Sequence, residues 1–239
     1  MKTYIKSLAK RFGYEVLGAP RAFASERSLM GLVQQEQINL VLDVGANVGR
    51  FATDLRACGY TGRIISYEPL PAAHASLKAQ AENDPNWTVA DRSAVGATTG
   101  SVILHIAGNS ESSSILDMLP SHTEAEPLSA CVGSEIVPVS RLDDLYTIAP
   151  GDNVLLKIDV QGYEKQVLDG APSVLNNCRA IVSELSVVPL YLGQPLAAEM
   201  WGLLTARGFE IWSLEPVFRD PRTGRLLQFD GTFVTTKLR

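Results

Sequence analysis

Cysteine is scarce in this chain: Cys58, Cys131 and Cys178 are three in 239 residues, widely scattered, and no two form a CxxC pair. That pattern excludes a disulfide framework and a zinc knuckle, and it predicts reduced thiols in a reducing compartment. Long apolar runs are missing too; no stretch approaches the roughly 20 apolar residues of a membrane span. The opening MKTYIKSLAKRFGYEV has neither the apolar centre nor the small-residue cleavage site of a secretion signal. Positive charge is in short supply, with 21 Lys and Arg against 26 Asp and Glu and a formal net charge of −5. A general binder of nucleic-acid backbones needs a basic face, so nucleic acid is not an expected partner. Internal repeats, low-complexity tracts and Pro/Gly/Ser-rich linkers are also absent. The expectation is a cytoplasmic protein without stable membrane insertion.

What is present suits one α/β domain. The hydrophobic fraction of 46% and charged fraction of 20% are ordinary for a globular chain, and this length can bury a full core without staples. In residues 1–36, Ile5, Leu8, Phe12 and Val16 recur at helical spacing beside Lys2, Lys6, Lys10 and Arg11. They predict an amphipathic helical segment packed on a domain of residues 37–239. Strands are expected at 39–44, 63–69, 87–95, 101–107, 154–160 and 180–185, and helices at 48–58, 71–82, after Tyr163, and at 196–207. Residues 101–107 are expected to pair with 87–95 across the Gly96–Gly100 turn. The Ser-rich stretch from Asn109 to Ser134 reads as a long loop with at most one short helix. FEIWSLEPVF and RLLQFDGTFVTT, joined by DPRTG, predict a terminal antiparallel hairpin serving as core or dimer surface. Alternating β and α elements imply a doubly wound, mostly parallel, Rossmann-like sheet, with ligands outside the carboxyl ends of its strands.

The first strand ends in LDVGANVG. Gly45 permits a tight turn and Gly49 a close approach, with Ala46 and Asn47 between them. The spacing is not the GxGxxG of dinucleotide enzymes. Asp43 would repel a pyrophosphate but suits the ammonium of a methionine moiety. Glu68 and Pro69 close the second strand, where a carboxylate can accept hydrogen bonds from ribose hydroxyls. Ser93 and Ala94 mark the adenine side. These residues point to S-adenosylmethionine as cofactor. Farther on, LLKIDVQGYEKQVLDGA gathers Lys157, Asp159 and Gln161 at a strand end, with Glu164 opening the next helix.

Taken with SYEPLP, SSSIL, VSRLDDL and the later SEL, these segments resemble the FkbM family of methyltransferases over roughly residues 38–236, in the family's order. This chain has Gln161 where many relatives carry Glu. The resemblance implies a class I methyltransferase fold and an acceptor hydroxyl on a sugar, glycan or secondary metabolite. A hydroxyl is a poor nucleophile at neutral pH, so a general base or a metal is expected. His122, Asp159 and Glu184 are the candidate catalytic residues. His105 is a further candidate base beside its reading as a packed or surface residue, and His74 is unassigned. Asp159, Glu184 and His122 are also the candidate ligands of Mg²⁺. Ser112, Ser113, Ser114, Gln161 and Glu164 are candidate acceptor contacts, and a homodimer is a candidate assembly. The competing readings are a NAD-type oxidoreductase, a nucleic-acid or protein methyltransferase, and a catalytically silent S-adenosylmethionine-binding module. A Tyr-x-x-x-Lys pair, expected of the first, is missing; so is the Asn/Asp-Pro-Pro-aromatic signature of base methylation.

Overall fold

The computed structural model describes residues 22–237; the amphipathic stretch of residues 1–21 lies outside the described residues. Strands β1 (Leu40–Val44) and β7 (Val154–Ile158) form the centre of the molecule, and all ten of their residues are buried. Such runs fit parallel strands covered on both faces. Around them lie β2 (Arg63–Tyr67), β3 (Trp87–Val89), β8 (Cys178–Ser186), β9 (Phe209–Arg219) and β10 (Leu226–Thr235). Their spatial order is β3-β2-β1-β7-β8-β10-β9, parallel except for β10, which runs antiparallel to both neighbours. The terminal hairpin is therefore present, and its second strand is inserted between β8 and β9.

Successive side chains along a strand point to opposite faces, and the core divides accordingly. Leu40, Leu42, Val44, Leu156, Ile158, Leu185 and Phe233 pack on one face. They meet α6 (Glu164–Asp169), α7 (Pro172–Asn177) and α8 (Ala197–Ala206) through Val167, Val174 and Leu204. Val41, Ile64, Leu155 and Val182 pack on the other face. There they meet α1 (Ala22–Gln35), α2 (Arg50–Ala57) and α3 (Pro71–Ala81) through Leu32, Leu55 and Leu77. Each fully buried Leu on these faces contributes about 1.5–3 kcal/mol. Asp43 and Lys157 are register partners on β1 and β7, so both lie on the second face.

One part departs from the sequence reading. Residues 101–107 do not pair with 87–95. The chain leaves the main sheet after Val89 and builds a second, three-stranded sheet in the order β4-β6-β5. Here β4 is Ala94–Val95, β5 is Gly100–Ala107 and β6 is Cys131–Ser140. β5 pairs antiparallel with β6, and β4 pairs parallel with it. The expected loop of 109–134 therefore ends in a strand. It also carries α4 (Pro120–Ala125) and a 3₁₀ turn, Pro127–Ser129; the short helix α5 (Leu142–Leu145) follows β6. The strand is hard to see in sequence because only Val137 and Val139 are buried, while Gly133, Ser134 and Ile136 face solvent. Among the described residues no helix is long and apolar enough to cross a membrane. All three cysteines are unpaired.

Candidate functional site

The carboxyl ends of β1, β2, β7 and β8 meet at one rim of the main sheet, where most of the singled-out residues lie. The turn after β1 is wound by left-handed backbone at Gly45 (φ 74°), Asn47 (φ 47°) and Gly49 (φ 90°). At Gly45 a Cβ would stand 1.9 Å from the Asp159 carbonyl oxygen, so only glycine lets the two loops meet. The turn's amides are occupied: Gly45 and Ala46 donate to the Tyr67 carbonyl, and Gly49 donates to that of Ala46. Asn47 N–H donates to Glu68 Oε2 (2.8 Å), and Val48 N–H to Asn47 Oδ1 (2.8 Å). A phosphate cradle needs free amides, and this loop has spent those five.

Glu68 is 4% exposed, and its other oxygen accepts from Leu70 N–H at 2.7 Å. Burial pushes its carboxyl up to about 7, against the pull of those two amides. A carboxylate offers about four lone-pair sites, so Glu68 retains acceptor capacity toward a diol. The Pro69 carbonyl accepts from Arg92, which also pairs with Glu135. Ser93 and Ala94 are the residues expected on the adenine side. Ser93 is buried with its hydroxyl on the Ala94 and Pro138 carbonyls, and Ala94 belongs to the second sheet. The residues directly beyond β3 are Ala90 and Asp91.

Beneath the rim lies an ionic cluster. Asp43 is fully buried, accepts from Ser66 Oγ at 3.2 Å, and has Lys157 Nζ 3.5 Å from its Oδ1. Lys157 also stands 3.5 Å from Asp159 and donates to the Gly45 carbonyl at 2.9 Å. Burial disfavours its ammonium, but Asp159 and Asp43 outweigh that and hold its pKa above the ordinary lysine value. The cation beside Asp43 is Lys157, and Asp43 bears on the cleft through Lys157 and the Gly45 backbone.

Gln161 occupies the centre of the rim in left-handed backbone (φ 54°). Its Nε2 donates to Asp159 Oδ1 (2.8 Å) and to Glu184 Oε2 (2.9 Å), and its Oε1 is 2.9 Å from the Tyr191 hydroxyl. Gln228 Nε2 donates to the same Glu184 oxygen, and Asp230 faces Glu184 across the β8–β10 ladder. Burial and the Asp159 and Asp230 charges hold the Glu184 carboxyl well above the ordinary range, and burial pushes Asp230 up to about 7. Sequence reasoning missed Tyr191, Gln228 and Asp230. The alternation of Gln228, Asp230 and Thr232 on one face of β10 was the available signal.

Three placements correct the sequence reading. Asp159, Glu184 and His122 do not assemble a metal site: Gln161 spans the two carboxylates, and among the described residues no group of three His, Cys, Asp or Glu side chains could hold an ion. His122 is 2% exposed, wedged between Tyr191 and Phe218 with ring centroids 5.2 and 5.4 Å away. Desolvation drives its pKa down to about 4, which makes it a feeble base. Glu164 faces inward: its Oε1 accepts from Val160 and Gly162 N–H at 3.2 and 3.0 Å, bracing the turn that carries Gln161.

The serine segment folds over this rim. Ser114 Oγ donates to the Gln161 carbonyl at 2.6 Å, Ser113 Oγ accepts from Ala107 N–H, and Ser112 is bonded to Asn109. Asn47 Nδ2 reaches Ser110 Oγ at 3.4 Å, tying the segment to the first loop. Behind it opens a cavity of about 250 Å³, lined by His105, Ser112, Ser114, Asp117, Met118 and Tyr191 among others.

The model of the methyltransferase FkbM domain matches residues 43–211. No curated protein matches the chain. Among solved structures, TehB from Haemophilus influenzae superposes with a TM-score of 0.47 at 10% identity, covering 96% of this chain and 65% of that one. The mitomycin 7-O-methyltransferase MmcR superposes at 0.46 and 9% identity over 90% and 54%. Precorrin-6y C5,15-methyltransferase from Geobacter metallireducens superposes at 0.44 and 13% identity over 87% of each chain.

Proposed function

Because this chain belongs to the FkbM family of methyltransferases, we propose that it transfers the methyl group of S-adenosylmethionine to a hydroxyl oxygen of a sugar, a glycan or a hydroxylated secondary metabolite. The observation that carries the oxygen acceptor is the cavity beside Gln161. Its wall offers Ser112, Ser114 and Tyr191 together with Asp117 and His105, over the apolar surface of Leu116 and Met118. A few convergent polar groups on an apolar floor are what a small polyol needs for orientation.

The residues at the rim fit the cofactor. Glu68 holds the ribose hydroxyls with the lone pairs its two amide bonds leave free, and the Gly45–Gly49 turn lies against the adenosyl moiety. Asp43 and Lys157 fix the turn from below. Asp91, beyond β3, is the polar group on the adenine side. A bound sulfonium supplies an electrophilic methyl carbon and a neutral thioether leaving group. The protein's task is then alignment, which can supply about 7–11 kcal/mol of the barrier in a well-oriented displacement. Asp159 sits at the methionine end, pinned with Glu184 by Gln161, and its carboxylate favours the sulfonium there. The occupied amides of the first loop speak against a pyrophosphate and so against NAD.

Calorimetric titration with S-adenosylhomocysteine, with NAD⁺ as the control, tests this reading. Binding of the former alone, with a Kd on the order of micromolar, is the expected result. Binding of NAD⁺ alone would overturn both the cofactor and the role given to Glu68.

A further inference from the structure

The chain has three histidines, and their surroundings separate them sharply. His74 is 8% exposed, with Nε2 bonded to the Ala90 carbonyl at 2.8 Å. His122 is sealed behind Tyr191. His105, on β5, lines the 250 Å³ cavity, and its Nε2 lies 3.3 Å from Asp117 Oδ1. Its main chain is bonded in both directions to Ser114, N to O at 2.8 Å and O from N at 3.1 Å. Ser114 Oγ in turn bonds the Gln161 carbonyl. The His105 main chain is therefore tied, through Ser114, to the turn at the centre of the rim.

We propose that His105, which lines the cavity beside the Asp117 carboxylate, is the general base that takes the proton from the acceptor hydroxyl. The proposal rests on methyl transfer to a hydroxyl. In the neutral imidazole one ring nitrogen carries a free lone pair. The hydroxyl proton passes to that nitrogen while the oxygen bonds the methyl carbon; the carbon–sulfur bond breaks with its electron pair kept on sulfur. The products are a methyl ether, a neutral thioether and an imidazolium beside the Asp117 carboxylate. The imidazolium returns its proton to water, since the Asp117 side chain is 70% exposed.

The other titratable groups around the cavity are Asp117, Cys131 and Tyr191. The Cys131 thiol is directed at the Gly133 carbonyl at 3.2 Å. Burial holds the Tyr191 hydroxyl above its ordinary range, and it is bonded to Ser112 and Gln161. Neither competes for the proton.

The test uses the full chain, with methyl glycosides and hydroxylated aromatic compounds as acceptors and labelled S-adenosylmethionine as donor. His105→Gln is expected to lower kcat by about 100-fold or more, to leave the affinity for S-adenosylhomocysteine unchanged, and to abolish the acid limb of the kcat profile. Asp117→Asn removes the carboxylate beside the imidazolium, and kcat is expected to fall about 10-fold while the affinity for S-adenosylhomocysteine stays unchanged. Full activity in His105→Gln, with the limb in place, overturns the base assignment and leaves the methyl-transfer reading standing. Wild-type protein that binds S-adenosylhomocysteine but methylates no hydroxyl compound overturns the acceptor class, and the base with it.

Discussion

Lys157 balances the charges under the site. One ammonium serves Asp43 and Asp159 at 3.5 Å each and also the Gly45 carbonyl, with the Phe51 ring centroid 5.9 Å away. Replacing it by methionine strands two acids, one of them fully buried. Removing one partner of a buried pair typically costs about 3–5 kcal/mol, so Lys157→Met is expected to lose that much in urea unfolding. Adding Asp43→Asn removes the stranded charge and recovers part of the loss. An unchanged midpoint in the single variant would mean that the cluster contributes nothing to folding. Gln161 shows a different economy of charge. An acid in its place would set a third carboxylate between Asp159 and Glu184; the amide instead donates one hydrogen to each. Its left-handed backbone, costing about 1–3 kcal/mol, is held by those bonds and by Glu164 below.

At the scale of elements, the contact between the turns after β1 and β7 couples the two halves of the site. Gly45 meets the Asp159 carbonyl backbone to backbone, so neither side can yield to a methyl group. Gly45→Ala should therefore destabilise the fold by well over the ~1 kcal/mol of an ordinary glycine substitution and weaken binding of S-adenosylhomocysteine. A fully stable variant with native affinity would show that the turns can separate freely. These turns were readable beforehand because each follows a short apolar run and ends in residues with strong local preferences. The order of β1, β2, β7 and β8 with their helices was readable for the same reason. β6 was not, since half of its length is solvent-facing and its partner β5 lies across the serine segment. Glu164 was misread because an acid in the first turn of a helix usually faces water, and here it folds inward to cap a turn. Tyr191, Gln228 and Asp230 join the site only through pairings distant in sequence; the alternation along β10 marks a shared face but not the strand it meets.

At the scale of the whole molecule, buried acid outweighs buried base. Glu68, Glu164 and Asp230 are pushed up to about 7 and Glu184 well above its ordinary value, in each case by burial first. The unfolded chain releases these protons near the ordinary 4.5 of Glu and 3.8 of Asp. Between those values and about 7 the folded protein binds more protons, so its stability rises as the pH falls. His122 opposes this, since it stays neutral down to about 4 when folded and charges near 6.5 when unfolded, but it is one group against four. The thermal midpoint is therefore expected to climb from pH 8 to about pH 5, and a steady decline over that range would show that these acids are ionised in the fold. The insertion of β10 between β8 and β9 also has a temporal side. A ribosome delivers β10 after every other strand of the sheet, so a growing chain holds β8 with a bare edge and Glu184 without Gln228 or Asp230 opposite. On the proposed function, a chain clipped before Leu226 keeps β1, β2, β7 and β8 but is expected to lose methyl transfer with the Gln228 and Asp230 partners of Glu184.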